Sequence, residues 1–284
     1  MSCYLCSLDI NHLRKGVVRD APEMQVIECD SCGLVYLNSI DHIEPGFYEN
    51  SGMHSSDLVA IDTWLRDVDW DDSRRFEMLK TVLPNINLLD FGCGAAGFLR
   101  KAQSLVTTAT GIELETRVRE YWGASLNIVP TIEAASQVCD GYDLITAFHV
   151  VEHLSDPREV LRELASLLKP KGRIILEVPS ADDILISLYN NESFQRFTYW
   201  SQHLFLFNTS TLNKLARQAG LRAITIQHYQ RYPLSNHLYW LSKGKAGGHK
   251  CWSFIDTPEI SQAYANALAA IGKTDTLIAH LELA

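Results

Sequence analysis

The 284-residue chain lacks long apolar runs, and no stretch approaches the ~20 residues that a membrane-spanning helix needs. Its first residues lack the basic segment and apolar core of a secretory signal. It also lacks a positive charge balance, because 25 lysines and arginines face 34 aspartates and glutamates. A net charge of -9 leaves no broad basic surface for phosphates. We therefore expect a cytoplasmic protein with no membrane partner and no nonspecific nucleic-acid binding.

Four of the seven cysteines form two C-x-x-C pairs, Cys3/Cys6 and Cys29/Cys32. Paired thiolates at this spacing are typical of a tetrahedral zinc site, and a reducing compartment disfavours disulfides. A redox-active dithiol is the alternative, but neither pair precedes a βαβ helix. Residues 1–45 are too few to fold on an apolar core alone, so a metal would supply their stability. The pattern predicts a structural zinc ribbon over residues 1–45.

Helical spacing follows over residues 46–84, which we interpret as a helical linker or lid. The pattern predicts one helix capped by Ser55 or Ser56, an acidic turn at residues 69–72, and a second helix that ends at Pro84. The aspartates and arginines of this segment are expected on solvated faces.

Strands and helices alternate over residues 85–284, the pattern of a parallel sheet covered by helices on both faces. Residues 230–272 interrupt this alternation and are interpreted as an insertion that contains a helix after Pro258. The predicted strands lie at residues 86–89, 108–113, 126–129, 142–148, 173–178, 221–228 and 274–283.

A glycine-rich turn follows the first of these strands. Gly92, Gly94 and Gly97 form the pattern G-x-G-x-x-G, and an apolar helix face comes directly after it. Glycine permits both the tight turn and the close approach of the backbone to a ligand. Alone, this turn is compatible with NAD and with S-adenosylmethionine.

Two carboxylates distinguish these cofactors. Asp90 stands two residues before the first glycine, where it would repel a pyrophosphate but suit a cationic amino group. Glu113 ends the next strand, where a carboxylate can accept hydrogen bonds from both ribose hydroxyls. Taken alone, Asp90 has the alternative of being a turn-capping carboxylate. Together, the two residues favour S-adenosylmethionine.

Much of the chain resembles class I S-adenosylmethionine-dependent methyltransferases, and most closely the small-molecule group that includes ubiquinone and sugar methyltransferases. The zinc-ribbon-like beginning, with Cys29-Asp-Ser-Cys-Gly-Leu-Val-Tyr36, resembles a subgroup associated with surface-polysaccharide or antibiotic-sugar pathways. The resemblance implies an α/β, Rossmann-like sheet of seven strands whose last strand is antiparallel. It also implies methyl transfer to a small molecule such as a sugar or nucleotide sugar. The matching segments are residues 88–99, 110–115, 142–157 and 167–179.

The resemblance further implies roles for individual residues. Asp90 and the glycines would shape the methionine pocket, Glu113 would hold the ribose, and Leu114 and Ile132 would border the adenine. Many relatives carry an aspartate after the third strand, whereas this chain has Pro130-Thr-Ile-Glu133. The implied cofactor residues are Asp90, Gly92, Gly94, Gly97, Glu113, Leu114, Ile132, His149 near the sulfonium, and Tyr48, which would close over the cofactor.

Two histidines are candidates for a catalytic base, because imidazole titrates near neutral pH. These are His153 and His203, although either could instead only pack or cap the site. Sugar C-methyltransferases with zinc modules have Tyr-x-Glu-His where this chain has Trp200-Ser-Gln-His203, a difference that favours O-methylation. The segment His149-Val-Val-Glu-His153 also matches an inverted zinc-peptidase motif. We do not expect a peptidase, because the motif follows a strand and the next helix begins only at Pro157.

Two other functions stay open at this point. One is a binding protein that retains the cofactor pocket without turnover and uses its zinc module to contact a partner. The other is an NAD-dependent Rossmann oxidoreductase. Cofactor binding separates the second from a methyltransferase, and an assay against a panel of acceptors separates the first.

Overall fold

The computed structural model describes residues 2–44, 46–49 and 58–284, so the expected cap at Ser55 or Ser56 lies outside the described residues. The strands are β1 Asn11–Leu13, β2 Val26–Cys29, β3 Val35–Leu37, β4 Asn87–Phe91, β5 Thr108–Ile112, β6 Asn127–Val129, β7 Tyr142–Phe148, β8 Leu168–Pro179, β9 Phe205–Leu206, β10 Leu221–Tyr229 and β11 Thr276–Leu283. The helices are α1 Ile61–Leu79, α2 Gly97–Ala102, α3 Thr116–Trp122, α4 Ile132–Ser136, α5 Pro157–Ser166, α6 Ile184–Ser187, α7 Glu192–Thr198, α8 Thr209–Gln218, α9 Leu234–Lys243, α10 Gly248–Cys251 and α11 Pro258–Ala270.

Seven strands form the large sheet, in the order β10-β11-β8-β7-β4-β5-β6. The central pairs are parallel, and β11 runs antiparallel to both of its neighbours. Leu88 and Leu89 of β4 are both fully buried, but they belong to apolar clusters on opposite faces of the sheet. Burial on both faces is the physical reason that such strands have apolar residues at consecutive positions. The predicted α/β sheet with an antiparallel last strand is confirmed.

The N-terminal strands form a second, antiparallel sheet with the order β1-β2-β3-β9. Its last strand, β9, comes from the segment that follows β8 and α7, and Tyr36 of β3 is paired with Phe205 of β9. Both of these residues belong to the same apolar cluster as Ile145 of the large sheet. The N-terminal residues therefore pack as a continuation of the main core.

Helix α1 runs unbroken through the segment where the sequence predicted an acidic turn, so that prediction is wrong. Asp71 pairs with Arg74 and Asp72 with Arg75, at the i,i+3 spacing that stabilises a continuous helix. The expectation of a solvated face is also wrong at three of these positions, because Asp71, Asp72 and Arg75 are buried. Helix α1 lies against α2, directly above the glycine turn.

The expected insertion lies between β10 and β11 and contains α9, α10 and α11. Trp240 of α9 and Leu268 of α11 pack against Ile184 and Leu185 of α6, so the insertion is anchored on the segment that follows β8. Within the described parts of the chain, we find no helix that combines the length and the apolarity needed to cross a membrane.

Candidate functional site

A cavity of about 950 Å³ opens beyond the carboxyl ends of β4, β5 and β7, beneath α1. Such an edge is the usual ligand site of an open α/β sheet. The predicted site residues that line it are Tyr48, Asp90, Gly92, Gly94, Glu113, Leu114, Ile132, His149 and His153. Two others, Gly97 and His203, lie outside the lining.

Each glycine of this turn is required for its own physical reason. Gly92 has a φ of +66°, and a Cβ there would lie 2.6 Å from the side chain of Val150. Gly94 has a φ of +54°, and a Cβ there would lie 3.1 Å from the side chain of Trp64. At Gly97 a Cβ would lie 2.1 Å from Asp72 Oδ2. Gly97 is therefore needed for the close approach of α1. It packs against that helix and does not line the cavity.

Asp90 and Glu113 place one carboxylate on each side of the glycine turn. Asp90 Oδ1 accepts a hydrogen bond from Thr146 Oγ1 over 2.7 Å, and burial raises the pKa of Asp90 to about 7. Glu113 accepts backbone N–H groups from Gly94 and Glu115, and burial also raises its pKa. A ligand that brings a positive charge to Asp90 would favour the ionised carboxylate. These contacts, together with the cavity's size, fit S-adenosylmethionine.

His149 is held between two carboxylates. Its φ is +56°, and its Nδ1 lies 3.1 Å from Glu152 Oε1 while its Nε2 lies 3.2 Å from Glu177 Oε1. Burial alone would lower the pKa of His149, but the two carboxylates raise it. His149 is therefore stabilised as a cation, which makes it a poor proton acceptor.

His153 and His203 have the opposite electrostatic character. His153 Nδ1 donates to the carbonyl of Gln202, and His203 Nδ1 donates to the carbonyl of Thr198, each over 2.7 Å. Burial lowers the pKa of both, to about 4 for His203. The rings are 5.0 Å apart between centroids. His153 faces the cavity, and Tyr48 Oη donates to its backbone carbonyl over 2.9 Å.

Sequence reasoning missed a network of ion pairs above the cavity. Glu177 of β8 is fully buried and accepts from Arg74 and Arg75 of α1 at 2.7 and 2.8 Å. Asp71 of α1 accepts from Arg231, the second residue after β10, whose Nε lies 2.8 Å from Asp71 Oδ1. The sequence signal for this network was the i,i+3 spacing of aspartate and arginine within Asp71-Asp-Ser-Arg-Arg75. That spacing is meaningful only if one continuous helix runs through the segment. The network joins α1, the central sheet and the start of the insertion.

The four paired cysteines converge at one point. Sγ of Cys3 lies 3.5 Å from Sγ of Cys32, and Sγ of Cys6 lies 3.5 Å from Sγ of Cys29. All four sulfur atoms lie within 4.8 Å of one another. This arrangement fits four thiolates around one tetrahedral ion.

The peptidase interpretation does not fit this geometry. Residues Val151–His153 form a single 3-10 turn, and α5 begins only at Pro157. His149 and His153 therefore do not share the face of an α-helix, as the peptidase motif requires.

Comparison with known proteins assigns the family. A model described as a methyltransferase domain matches residues 62–226, which is more than half of the chain. The ubiquinone biosynthesis O-methyltransferase of Bordetella avium is 26% identical over 201 residues, covering 61% of this chain and 83% of that protein. The protein of the same name from Aeromonas salmonicida is 31% identical over 164 residues, covering 52% of this chain and 68% of that protein.

Solved structures agree on the fold. A SAM-dependent methyltransferase from Archaeoglobus fulgidus matches with a TM-score of 0.51 and 20% identity, covering 75% of this chain and 93% of that chain. A SAM-dependent methyltransferase from Thermotoga maritima matches with a TM-score of 0.51 and 18% identity, covering 86% and 99%. The family match removes the alternative of an NAD-dependent oxidoreductase. The chain belongs to the methyltransferase domain family and is a class I S-adenosylmethionine-dependent methyltransferase.

Proposed function

We propose that this enzyme transfers a methyl group to an oxygen atom of a small-molecule acceptor, and that the acceptor is a sugar or nucleotide sugar. The observation that carries the proposal is the single cavity in which Asp90 and Glu113 lie on the cofactor side and His153 forms another part of the wall. Transfer to oxygen is supported by the relatives named as ubiquinone biosynthesis O-methyltransferases. The assignment of a sugar acceptor rests on the resemblance of the N-terminal segment to a subgroup associated with surface-polysaccharide or antibiotic-sugar pathways.

The cofactor supplies a methyl group already activated by its sulfonium. The protein's contribution is then mainly to position it, an effect that can supply about 7–11 kcal/mol. In our proposal Asp90 binds the amino group and Glu113 binds the ribose hydroxyls. Leu114 and Ile132 border the adenine, and Tyr48 covers the cofactor from the side of His153.

His153 is our candidate for the proton acceptor. Its Nδ1 holds a proton for the Gln202 carbonyl, so its Nε2 has a free lone pair when the ring is neutral. When bound, S-adenosylmethionine would supply the methyl group and keep the electron pair of its carbon–sulfur bond, and His153 Nε2 would take the proton of the acceptor hydroxyl. His203 lies behind His153, where we propose that it positions that ring. We do not assign this role to His149, because its two carboxylate neighbours favour its protonated form.

Calorimetry with S-adenosylhomocysteine, followed by a methyl-transfer assay, tests this proposal. His153→Gln and His203→Ala should lower turnover by about 10²–10⁴-fold and leave cofactor affinity within a factor of two. The matched control is His12→Gln, since His12 lies on β1, outside the cavity lining, and should change neither value. Equal turnover in His153→Gln and wild type would contradict the role of His153.

A panel of acceptors tests whether the acceptor is a sugar or nucleotide sugar. The panel should pair free sugars and nucleotide sugars with phenols of similar size, and mass spectrometry should detect a gain of one methyl group. We expect the product to form from a sugar or nucleotide sugar. Turnover of phenols alone would contradict the assignment of a sugar acceptor and would be consistent with transfer to oxygen.

We also propose that Cys3, Cys6, Cys29 and Cys32 hold a structural zinc ion. The support is the convergence of their four sulfur atoms. Such an ion stabilises a small module whose apolar core is insufficient by itself. Metal analysis of the Cys29→Ser/Cys32→Ser variant should find that this zinc is gone, and unchanged zinc content would refute the ligand assignment.

A further inference from the structure

A second group of potential metal ligands lies beside the cavity, separate from the cysteines. Glu152, His153 and His203 each bring a ligand atom within 4.8 Å of the other two. Glu152 and His153 lie in the turn after β7, whereas His203 lies between α7 and β9. The fold therefore brings together ligands about 50 residues apart in sequence, one of which, His153, lines the cavity.

The hydrogen bonds of the two histidines determine which nitrogen is available. A carbonyl oxygen can only accept, so the bonds to Gln202 and Thr198 place the proton of each ring on Nδ1. A neutral ring then carries a lone pair on Nε2. An Nδ1–H bonded to a backbone carbonyl is the usual outer contact of a metal-binding histidine, because it fixes the tautomer and the ring orientation.

Glu152 completes the set with an unsatisfied acceptor. Its Oε1 pairs with His149 Nδ1 at 3.1 Å, while its Oε2 is buried and has no hydrogen-bond partner among the residues that the structure describes. His153 Nε2 is 4.0 Å from Glu152 Oε1. A buried carboxylate oxygen without a donor is costly, and one carboxylate oxygen of Glu152 lies within 4.8 Å of a ligand nitrogen of each histidine. A cation would satisfy all three atoms at once.

We propose that Glu152, His153 and His203 bind one first-row divalent metal ion, of the zinc or manganese type. Two imidazoles and one carboxylate are a common ligand set for such ions and leave further positions for a ligand from the cavity. Bonds of about 2 Å would require the three side chains to move together by roughly 1 Å. The role of the ion rests on the proposed function: it would bind the acceptor oxygen and lower the pKa of its hydroxyl. In that case His153 would be a ligand, the metal-bound hydroxyl would lose its proton to water before the methyl transfer, and the loss of turnover in His153→Gln would follow from loss of the ion.

Cobalt(II) substitution tests the site, because it distinguishes the two ligand sets by their spectra. Apoprotein reconstituted with Co²⁺ should bind two ions per chain and show thiolate-to-metal charge-transfer bands together with weaker visible bands. The Cys29→Ser/Cys32→Ser variant should keep one ion and lose the charge-transfer bands. Glu152→Gln and His203→Gln should each keep the charge-transfer bands and bind one ion. His12→Gln is the matched control and should bind two.

The refuting outcomes are equally specific. Wild-type protein that binds one Co²⁺, with thiolate bands only, would overturn the proposal. So would binding of two ions by both Glu152→Gln and His203→Gln. Calorimetry with S-adenosylhomocysteine on the same samples verifies that each variant is folded. It also separates the two proposals, because wild-type protein that binds S-adenosylhomocysteine but only one Co²⁺ contradicts the metal site alone.

Discussion

The affinity of this enzyme for its cofactor should depend on pH through Asp90. Burial raises the pKa of this carboxyl to about 7 in the free protein. A cationic amino group beside it favours the ionised form, so binding should lower the pKa and expel a proton at any pH below 7. Affinity should therefore rise as the pH increases from 6 to 8.

The size of the effect follows from this pKa. With a pKa of about 7, roughly one carboxyl in ten is ionised at pH 6 and roughly nine in ten at pH 8. The dissociation constant should therefore be about tenfold higher at pH 6, equivalent to ~1.4 kcal/mol, with close to one proton released per complex formed there. The folded pKa exceeds the ordinary value of 3.8, so the free protein loses stability as the pH rises from about 4 to about 7. Ligand binding should accordingly raise Tm more at pH 8 than at pH 6.

Calorimetry with S-adenosylhomocysteine in two buffers of different ionisation enthalpy measures both the dissociation constant and the number of protons released. The ligand's own amino group also titrates near pH 8, so Asp90→Asn is the essential control. Asparagine retains an oxygen for the hydroxyl of Thr146 but carries no charge. We expect this variant to bind more weakly by about 1.5–3 kcal/mol at pH 8 and to lack the excess proton release at pH 6. Equal proton release by the variant and the wild type would refute the reasoning.

Three further predictions test the remaining architecture. Glu113→Ala should weaken S-adenosylhomocysteine binding at least about tenfold in calorimetry, because the backbone N–H of Gly94 also loses its acceptor; unchanged affinity would contradict the ribose contact. Glu177→Gln should lower the free energy of unfolding by about 3–5 kcal/mol in urea, because the buried Arg75 and the partly buried Arg74 lose their counter-charge; a wild-type unfolding midpoint would refute this. Gly97→Ala should cost about 1–3 kcal/mol in the same assay, since its Cβ would collide with Asp72 of α1; an unchanged midpoint would show that α1 can move away without cost.

The sequence predicted the parts of the fold that depend on neighbours in the chain. Leu88 and Leu89 have the consecutive apolar pattern of a strand buried on both faces, and they lie in β4. Proline at the first position of α5, after the capping Asp156, similarly predicted where that helix begins. Asp90 and Glu113 stand at the ends of adjacent strands, so the parallel sheet is sufficient to bring them to one cavity.

What the sequence pattern missed depends on contacts between distant residues. Strand β9 is only two residues long, so its pairing with β3 leaves no detectable strand pattern. The sequence pattern predicts two helices in place of α1, because Asp71 and Asp72 are poor helix formers when their side chains have no partner. In the fold, each instead pairs with an arginine one turn later, and Asp71 also pairs with Arg231, 160 residues away. Only the tertiary structure supplies the distant partner, Arg231.

One signal for this network was nevertheless present in the sequence. Glu177 stands in the apolar run of β8, in a strand whose neighbours on both sides are also strands of the sheet. A carboxylate at such a place either has cationic partners or has a raised pKa, as Asp90 does, because an unpaired charge in the interior is costly. The adjacent Arg74 and Arg75 of α1 supply these partners. Glu177 also faces His149, so the carboxylate that anchors α1 over the cavity simultaneously sets the charge of a residue in the cavity wall. The position of α1 and the electrostatics of the cavity are thus coupled through one side chain.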